Sequence, residues 1–129
     1  MTIGEAAAAS GVSVKMIRHY EAIGLLRPAR LANGYRIYGP REVRLLRFIR
    51  TARSLGFGMA EIRRLLALWQ DHHRTAAEVR AIALAKIAEL ERKAAELSAM
   101  AAALRHLAEA CHGDERPDCP ILEKLENPE

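Results

Sequence analysis

The chain has 129 residues, a formal net charge of +4, 5% aromatic residues and two cysteines. That length suits one small domain or a compact head with a helical arm, and an aromatic-poor, Ala- and Leu-rich composition suits an all-helical protein. No apolar run approaches the roughly 18–20 residues of a membrane span. The first residues, with Glu5 and four alanines, lack the basic start of a signal peptide, so a cytoplasmic chain is expected.

Charge is divided unevenly. Residues 1–70 carry twelve Lys/Arg against four Asp/Glu, whereas residues 71–129 carry eight against twelve. A basic first half predicts contact with nucleic acid, and an acidic second half predicts a different task.

In chain order, Thr2-Ile-Gly-Glu5 reads as a capping box opening a helix over 3–9 that ends at Ser10-Gly11. Ser13 caps a second helix, 14–22. Two short helices joined by such a turn, with Ala8, Val12 and Ile17 at inward positions, predict a helix-turn-helix. If Ile17 faces inward, Lys15 and Arg18 share the outward face, three residues apart, as a groove-reading helix requires. Next, Arg30 to Tyr38 brackets Asn33-Gly34, a strong hairpin signal. A ribbon bearing Arg30, Tyr35, Arg36 and Tyr38 directly after a helix-turn-helix predicts a wing. Its guanidiniums would neutralise phosphates and its tyrosine hydroxyls would donate to them.

Gly39-Pro40 then starts a third helix, 41–54, with Val43, Leu46, Ile49 and Ala52 inward and Arg44, Arg47, Arg50 and Arg53 at every third position. After the turn Leu55-Gly-Phe-Gly58 comes a fourth, 59–70, with Ile62, Leu65, Leu66 and Trp69 inward. From Thr75 to Ala110 there is no Gly or Pro, which predicts one continuous helix of about 54 Å at roughly 1.5 Å per residue. Apolar residues at 83, 87, 90, 94, 97, 101, 104 and 108 alternate steps of four and three, a heptad seam. No small core covers a helix that long, so a second copy is the expected partner. The next seam position is Cys111. Beyond it, a loop with Gly113 and Pro117 leads to Cys119-Pro120 and a short helix, expected to close Cys119 in with Ile121, Leu122 and Leu125.

The stretches IGEAAAASGVSVKMIRHYEAIGL, NGYRIYG, RSLGFGMAEIRRLL and CHGDERPDCPIL together resemble the MerR family of bacterial transcription regulators, specifically its copper-responsive CueR/HmrR branch. The resemblance covers essentially the whole chain. It implies a winged helix-turn-helix head over 1–70, an antiparallel coiled-coil dimerisation helix over 71–110 and a metal-binding loop with a short helix over 111–129: an all-α fold with a small β wing. By the same resemblance Lys15, Arg18 and Tyr20 belong to the reading helix, Arg30, Tyr35, Arg36 and Tyr38 to the wing, and Arg53 contacts a phosphate. Cys111 and Cys119 correspond to the thiolate ligands. The implied partners are a second copy of the chain and double-stranded promoter DNA with an overlong spacer, which the metal-bound dimer distorts so that RNA polymerase engages both elements. One position departs from the pattern. Divalent-metal relatives carry Cys at the start of the long helix and copper sensors Ser, but aligning through Arg74 places Ala76 there.

Thiolates are soft donors that favour Cu(I), and two sulfurs suffice for a monovalent d10 ion, with Ag(I) or Au(I) able to take its place. Zinc ordinarily takes four ligands and would have to recruit His112, Asp114, Asp118 or the His72-His73 pair. A two-thiolate site would carry net charge −1, which the amides and positive dipole end of a partner's long helix, near Thr75 and Ala76, would offset. A disulfide and a pair of inert thiols remain as alternatives. Among functions, the alternatives are a cytosolic thiol metal-binding or redox protein with nonspecific nucleic acid binding, and a Zn(II)- or drug-responsive relative. No Ser-His-Asp set, phosphate-cradling glycine loop or paired inward carboxylates are present, so no enzymatic activity is expected.

Overall fold

The structure, a computed structural model, describes residues 1–128. Six helices and one two-stranded sheet follow in the order α1 (Ile3–Ser10), α2 (Val14–Ala22), β1 (Ala29–Arg30), β2 (Arg36–Ile37), α3 (Pro40–Ser54), α4 (Met59–Gln70), α5 (Ala76–Ala110) and α6 (Pro120–Glu126). The chain divides into two compact units, Met1–Ile82 and residues 83 onward, so the first unit takes in the opening turns of α5. Among the described residues no helix is long and apolar enough to cross a membrane.

Local chemistry sets the boundaries in the first unit. The Thr2 hydroxyl accepts the Glu5 N–H and the Glu5 carboxylate accepts the Thr2 N–H, a reciprocal box at the start of α1. Those two Thr2 groups, the amide first, hold the Glu5 carboxyl below the usual range. Glu42 and Glu61 reach back in the same way to the amides of Gly39 and Gly58, each at 2.9 Å, at the starts of α3 and α4. Gly11 closes α1 with φ of 78°, and a Cβ there would lie 2.8 Å from the Arg50 guanidinium. The left-handed backbone favours glycine here, while the Arg50 side chain could swing aside from a Cβ.

The core gathers Ala6, Ile17, Tyr20, Leu26, Tyr38, Leu46, Ile49 and Ile62, all essentially inaccessible, with Val12, Leu45, Ala52 and Leu66 beside them. Each fully buried Ile or Leu contributes about 2–3 kcal/mol relative to exposure, so α1 to α4 depend on one shared centre, which Tyr38 joins from just past β2. Two inward expectations fail here. Ala8 is exposed and Ala6, roughly 200° around the helix, is buried instead. Trp69, in the last turn of α4, is 38% exposed and stacks on Phe48 with ring centroids 4.7 Å apart.

The ribbon is minimal. Ala29 pairs with Ile37 and Arg30 with Arg36 in an antiparallel register. The Gly34 N–H reaches the Leu31 carbonyl (2.9 Å) and the Leu31 N–H reaches that of Tyr35 (2.8 Å). With Gly34 at φ 88°, this is a three-residue loop whose last member takes the left-handed conformation. The amino end reinforces the ribbon: the Met1 ammonium donates to the Tyr38 carbonyl at 2.7 Å and the Tyr38 N–H returns to the Met1 carbonyl at 2.9 Å.

In the second unit, α5 presents a stripe with nothing against it. Ile87, Leu90, Leu97 and Leu104 are exposed, Leu97 to 64%. These are seam positions, which in an isolated chain leave a heptad row facing solvent. Lys86 and Lys93 flank Glu89 at 2.6 and 3.0 Å and hold its carboxyl down to about 2. The α6 expectation is corrected in part: the helix forms, but Leu122 and Leu125 face solvent, Leu125 to 72%, and only Ile121 is half-buried. With seven residues, α6 is too short to fold its apolar side back over Cys119.

Candidate nucleic-acid interface and metal centre

Lys15 and Arg18 stand exposed on α2, whose opposite side is anchored by Ile17 and Tyr20. An open cleft of about 1030 Å³ lies among the amino end, that helix and the ribbon, with Glu5, Arg18, Glu21, Tyr35, Arg36 and Tyr38 in its lining. Tyr35 projects from the ribbon and is 72% exposed. The cleft thus has one cation, Arg18, on the helix side and Tyr35 and Arg36 on the ribbon side, with the Glu21 carboxylate among them.

Not every residue expected at this face reaches it. Tyr20 and Tyr38 are core residues, because their rings fill the space between α2, α3 and the ribbon. The Tyr20 hydroxyl accepts a hydrogen bond from Arg53 Nη1 at 2.9 Å, leaving Arg53 exposed beyond it. The Tyr38 hydroxyl donates to Glu21 Oε2 at 3.3 Å, and burial followed by the Glu21 charge pushes its pKa up. Tyr38 is therefore committed inside the protein and does not present a free donor to phosphate.

Glu21 is the group that sequence reasoning passed over. Its carboxylate receives Arg36 Nε in a direct hydrogen-bonded ion pair, stands 3.6 Å from Arg30 Nη2 and accepts from Tyr38. The hydrogen bond to Glu21 raises the Arg36 pKa. A signal was available by elimination. Of the four acids in the head, Glu5, Glu42 and Glu61 each stand three residues past a helix start, and Glu21 alone has no capping position.

The arginines are also sorted. Arg47 donates through Nε and Nη2 to the Ala9 carbonyl (3.2 and 2.9 Å), and Arg63 Nη2 to that of Ile23 (2.7 Å). Arg74 Nη1 donates to the carbonyls of Trp69 (2.8 Å) and Asp71 (3.2 Å). These three cations lie at the carboxyl ends of α1, α2 and α4, where unpaired carbonyls attract positive charge. Arg47 and Arg63 join elements about 40 residues apart, while Arg74 closes the end of the helix just before it.

In the second unit, α5 ends as the Cys111 N–H is shared between the carbonyls of Leu107 and Ala108, each at 3.2 Å. Both cysteines are free thiols and half-buried. Cys119 precedes Pro120 at the start of α6, and its thiol is held below the ordinary range first by the Leu122 amide, then by that of Ile121 and by a hydrogen bond from Cys111. The loop thus brings the Cys111 side chain close enough to act on the Cys119 thiol. Asp114, a possible third ligand, accepts the Arg116 N–H at 2.9 Å and its Nε at 2.8 Å. Among the described residues no group of three or more His, Cys, Asp and Glu side chains gathers in a way that could hold a metal ion. Two adjacent soft donors fit a monovalent d10 ion and fall short of a zinc set.

Thr75 and Ala76 open α5 in the first unit. The Thr75 hydroxyl accepts the Glu78 N–H at 3.2 Å, so one of the four free amides at this helix start is already satisfied, and Ala76 is exposed.

Comparison with known proteins agrees with this architecture. Residues 1–69 match the model described as MerR HTH family regulatory protein, and residues 43–107 match the one described as MerR, DNA binding. The HTH-type transcriptional regulator HmrR of Sinorhizobium medicae is 58% identical over 126 residues, covering 97% of this chain and 86% of that protein. Heavy metal-dependent transcription regulator 2 of Rhizobium meliloti is 56% identical over 128 residues, covering 98% and 87%. Among solved structures, the transcription regulator PbrR691 of Ralstonia metallidurans CH34 in complex with lead(II) superposes with a TM-score of 0.85 at 35% identity, covering 97% of this chain and 98% of that one. With two family models matching residues 1–69 and 43–107 and relatives along nearly its whole length, the chain belongs to the MerR family of DNA-binding transcription regulators.

Proposed function

We propose that this regulator is a Cu(I) sensor. It acts as an antiparallel dimer in the cytoplasm, with a DNA-binding head over 1–70, a dimerisation helix over 71–110 and a sensing loop over 111–129. The observation that carries the reading is the pair of free thiols, Cys111 and Cys119, which interact across one short loop, with no cluster of three or more metal-binding side chains among the described residues. A relative of 56% identity named for heavy-metal dependence supports a metal effector, and softness with low coordination number selects Cu(I), with Ag(I) or Au(I) as substitutes.

Cys111 and Cys119 would hold the ion between the end of α5 and the start of α6, joining two elements that are otherwise linked only by a loop. Thr75 and Ala76 of the partner would supply positive helix-end potential to the anionic pair. Lys15 and Arg18 would read the groove, while Arg30, Tyr35, Arg36 and Arg53 would hold the backbone. Tyr20 and Tyr38 would support those contacts from the core. The two heads, set by the dimer, would distort a long-spacer promoter so that RNA polymerase reaches both of its elements.

The test is X-ray absorption on protein loaded with one equivalent of Cu(I), paired with footprinting. The reading requires a two-sulfur environment in the wild type, lost in Cys111→Ser and Cys119→Ser. Both variants should still protect the promoter while losing metal-dependent transcription. Sulfur-plus-nitrogen coordination with tighter zinc binding would replace this reading with a zinc sensor.

A further inference from the structure

We infer that Glu21 is a positioning residue for DNA binding, a carboxylate that aims the wing arginines at the backbone phosphates. The inference rests on the wing contacts proposed above.

Four observations carry it. Glu21 lies on α2, the reading helix, with its side chain only 16% exposed, whereas Arg30 and Arg36 on the ribbon are 55% and 44% exposed. The carboxylate engages Arg36 through Nε, which leaves the two terminal nitrogens of that guanidinium available for another partner. Oxygen Oε1 also faces Arg30 Nη2 at 3.6 Å, so one acid sits behind the two arginines that the strand register places opposite each other. The other carboxyl oxygen, Oε2, receives the buried Tyr38 hydroxyl, which fixes the acid from the core side.

An arginine on a two-residue strand would otherwise sample many rotamers, and ordering each long side chain on binding costs affinity. A carboxylate held by a core tyrosine removes part of that freedom beforehand. It also ties the ribbon to the reading helix, so groove and backbone contacts arrive in one geometry.

The sign of the effect makes the inference testable. Glu21 is an anion beside a polyanionic ligand, so if only its charge mattered, its removal would tighten DNA binding. Positioning demands the opposite. The experiment measures affinity of the full-length dimer, across a salt series, for a duplex selected from a randomised pool by the wild-type protein. Glu21→Ala should bind roughly tenfold more weakly, with a salt slope reduced by about one to two as organised phosphate contacts are lost. Glu21→Gln keeps an acceptor oxygen for Arg36 Nε without the charge and should lose only about half of that effect on a logarithmic scale. In an Arg36→Ala background, Glu21→Ala should cost much less than in the wild type, because its main client is gone.

Equal or tighter binding by Glu21→Ala would overturn the inference, as would an undiminished loss in the Arg36→Ala background. If Arg36→Ala alone leaves affinity and salt slope unchanged, the wing reading itself fails and the inference falls with it. Thermal melts identify a variant that does not fold. In that event Glu21→Gln, alone and with Arg36→Ala, decides the matter by the same signs.

Discussion

The Tyr20 hydroxyl on α2 and Arg53 Nη1 near the end of α3 are 33 residues apart in sequence and 2.9 Å apart in the fold. Tyr20 is thereby a buried tether for an exposed cation. Tyr20→Phe should keep the core filled, changing stability by about 1 kcal/mol or less, while freeing Arg53 to wander. Operator affinity should fall a few-fold, less than for Arg53→Ala, in fluorescence anisotropy titrations. Unchanged affinity in Tyr20→Phe together with a loss in Arg53→Ala would show that the cation needs no tether.

For Cys119, the lowered thiol pKa has a direct readout. The folded value lies below the ordinary 9.0, so the thiolate persists to lower pH than in an unfolded chain. The associated stabilisation is complete above the unfolded value and is lost as pH falls through the folded one. Alkylation of Cys119, followed by mass spectrometry, should show a pH midpoint below that of the same residue in denatured protein. Coincident midpoints would mean that the amides of Leu122 and Ile121 do not act on the sulfur.

At the seam, Leu97 is 64% exposed in the single chain. Leu97→Asp places a charge where two apolar rows are proposed to meet. Sedimentation should show dissociation to monomers at micromolar concentrations with the head still folded, since the core around Leu46 and Ile49 is elsewhere in the sequence and in the other compact unit. A dimer that survives this change would place the interface on another face.

Along α5, Glu89 sits between Lys86 and Lys93 with its carboxyl held down to about 2. Its contribution to stability is present above the ordinary carboxylate value of 4.5 and is lost as pH falls from there toward 2. An NMR titration should find this carboxyl titrating at the low end of the acids in the chain, and Lys93→Met should move it upward.

Ala76→Ser would add a hydroxyl at the exposed first residue of α5. If that helix start faces the partner's thiol pair, metal sensitivity should shift modestly while metal-free operator affinity stays the same. A change in metal-free affinity would place residue 76 at the DNA side instead.

Where the sequence spoke clearly, short-range chemistry was speaking. The Thr2–Glu5 box, the Ser13 cap (Met16 N–H to Ser13 Oγ, 3.2 Å) and the Gly- and Pro-free run of α5 all lie within a few residues of the features they determine. So does the bend at Asn33-Gly34. Long-range pairings were silent. Nothing local in MIRHYEA says that Tyr20 will be buried or that Glu21 will meet two arginines of a ribbon nine to fifteen residues away. The thiol pair was legible because only two cysteines exist and a loop of seven residues joins them. The exposure of Leu122 and Leu125 was not, because the apolar pattern of so short a helix does not fix what it packs against.

The regular spacing of the exposed row on α5 turns the length of this protein into a quantised variable. Inserting seven residues into the helix would keep the row in phase and carry Cys111 about 10 Å farther along the axis. Inserting two would turn everything beyond the insertion by roughly 200° and break the row in two. An insertion of seven residues is therefore the simplest change of length that leaves the row unbroken. The reach of α5 from Ala76 to the cysteine that follows it is thereby counted in turns of the helix.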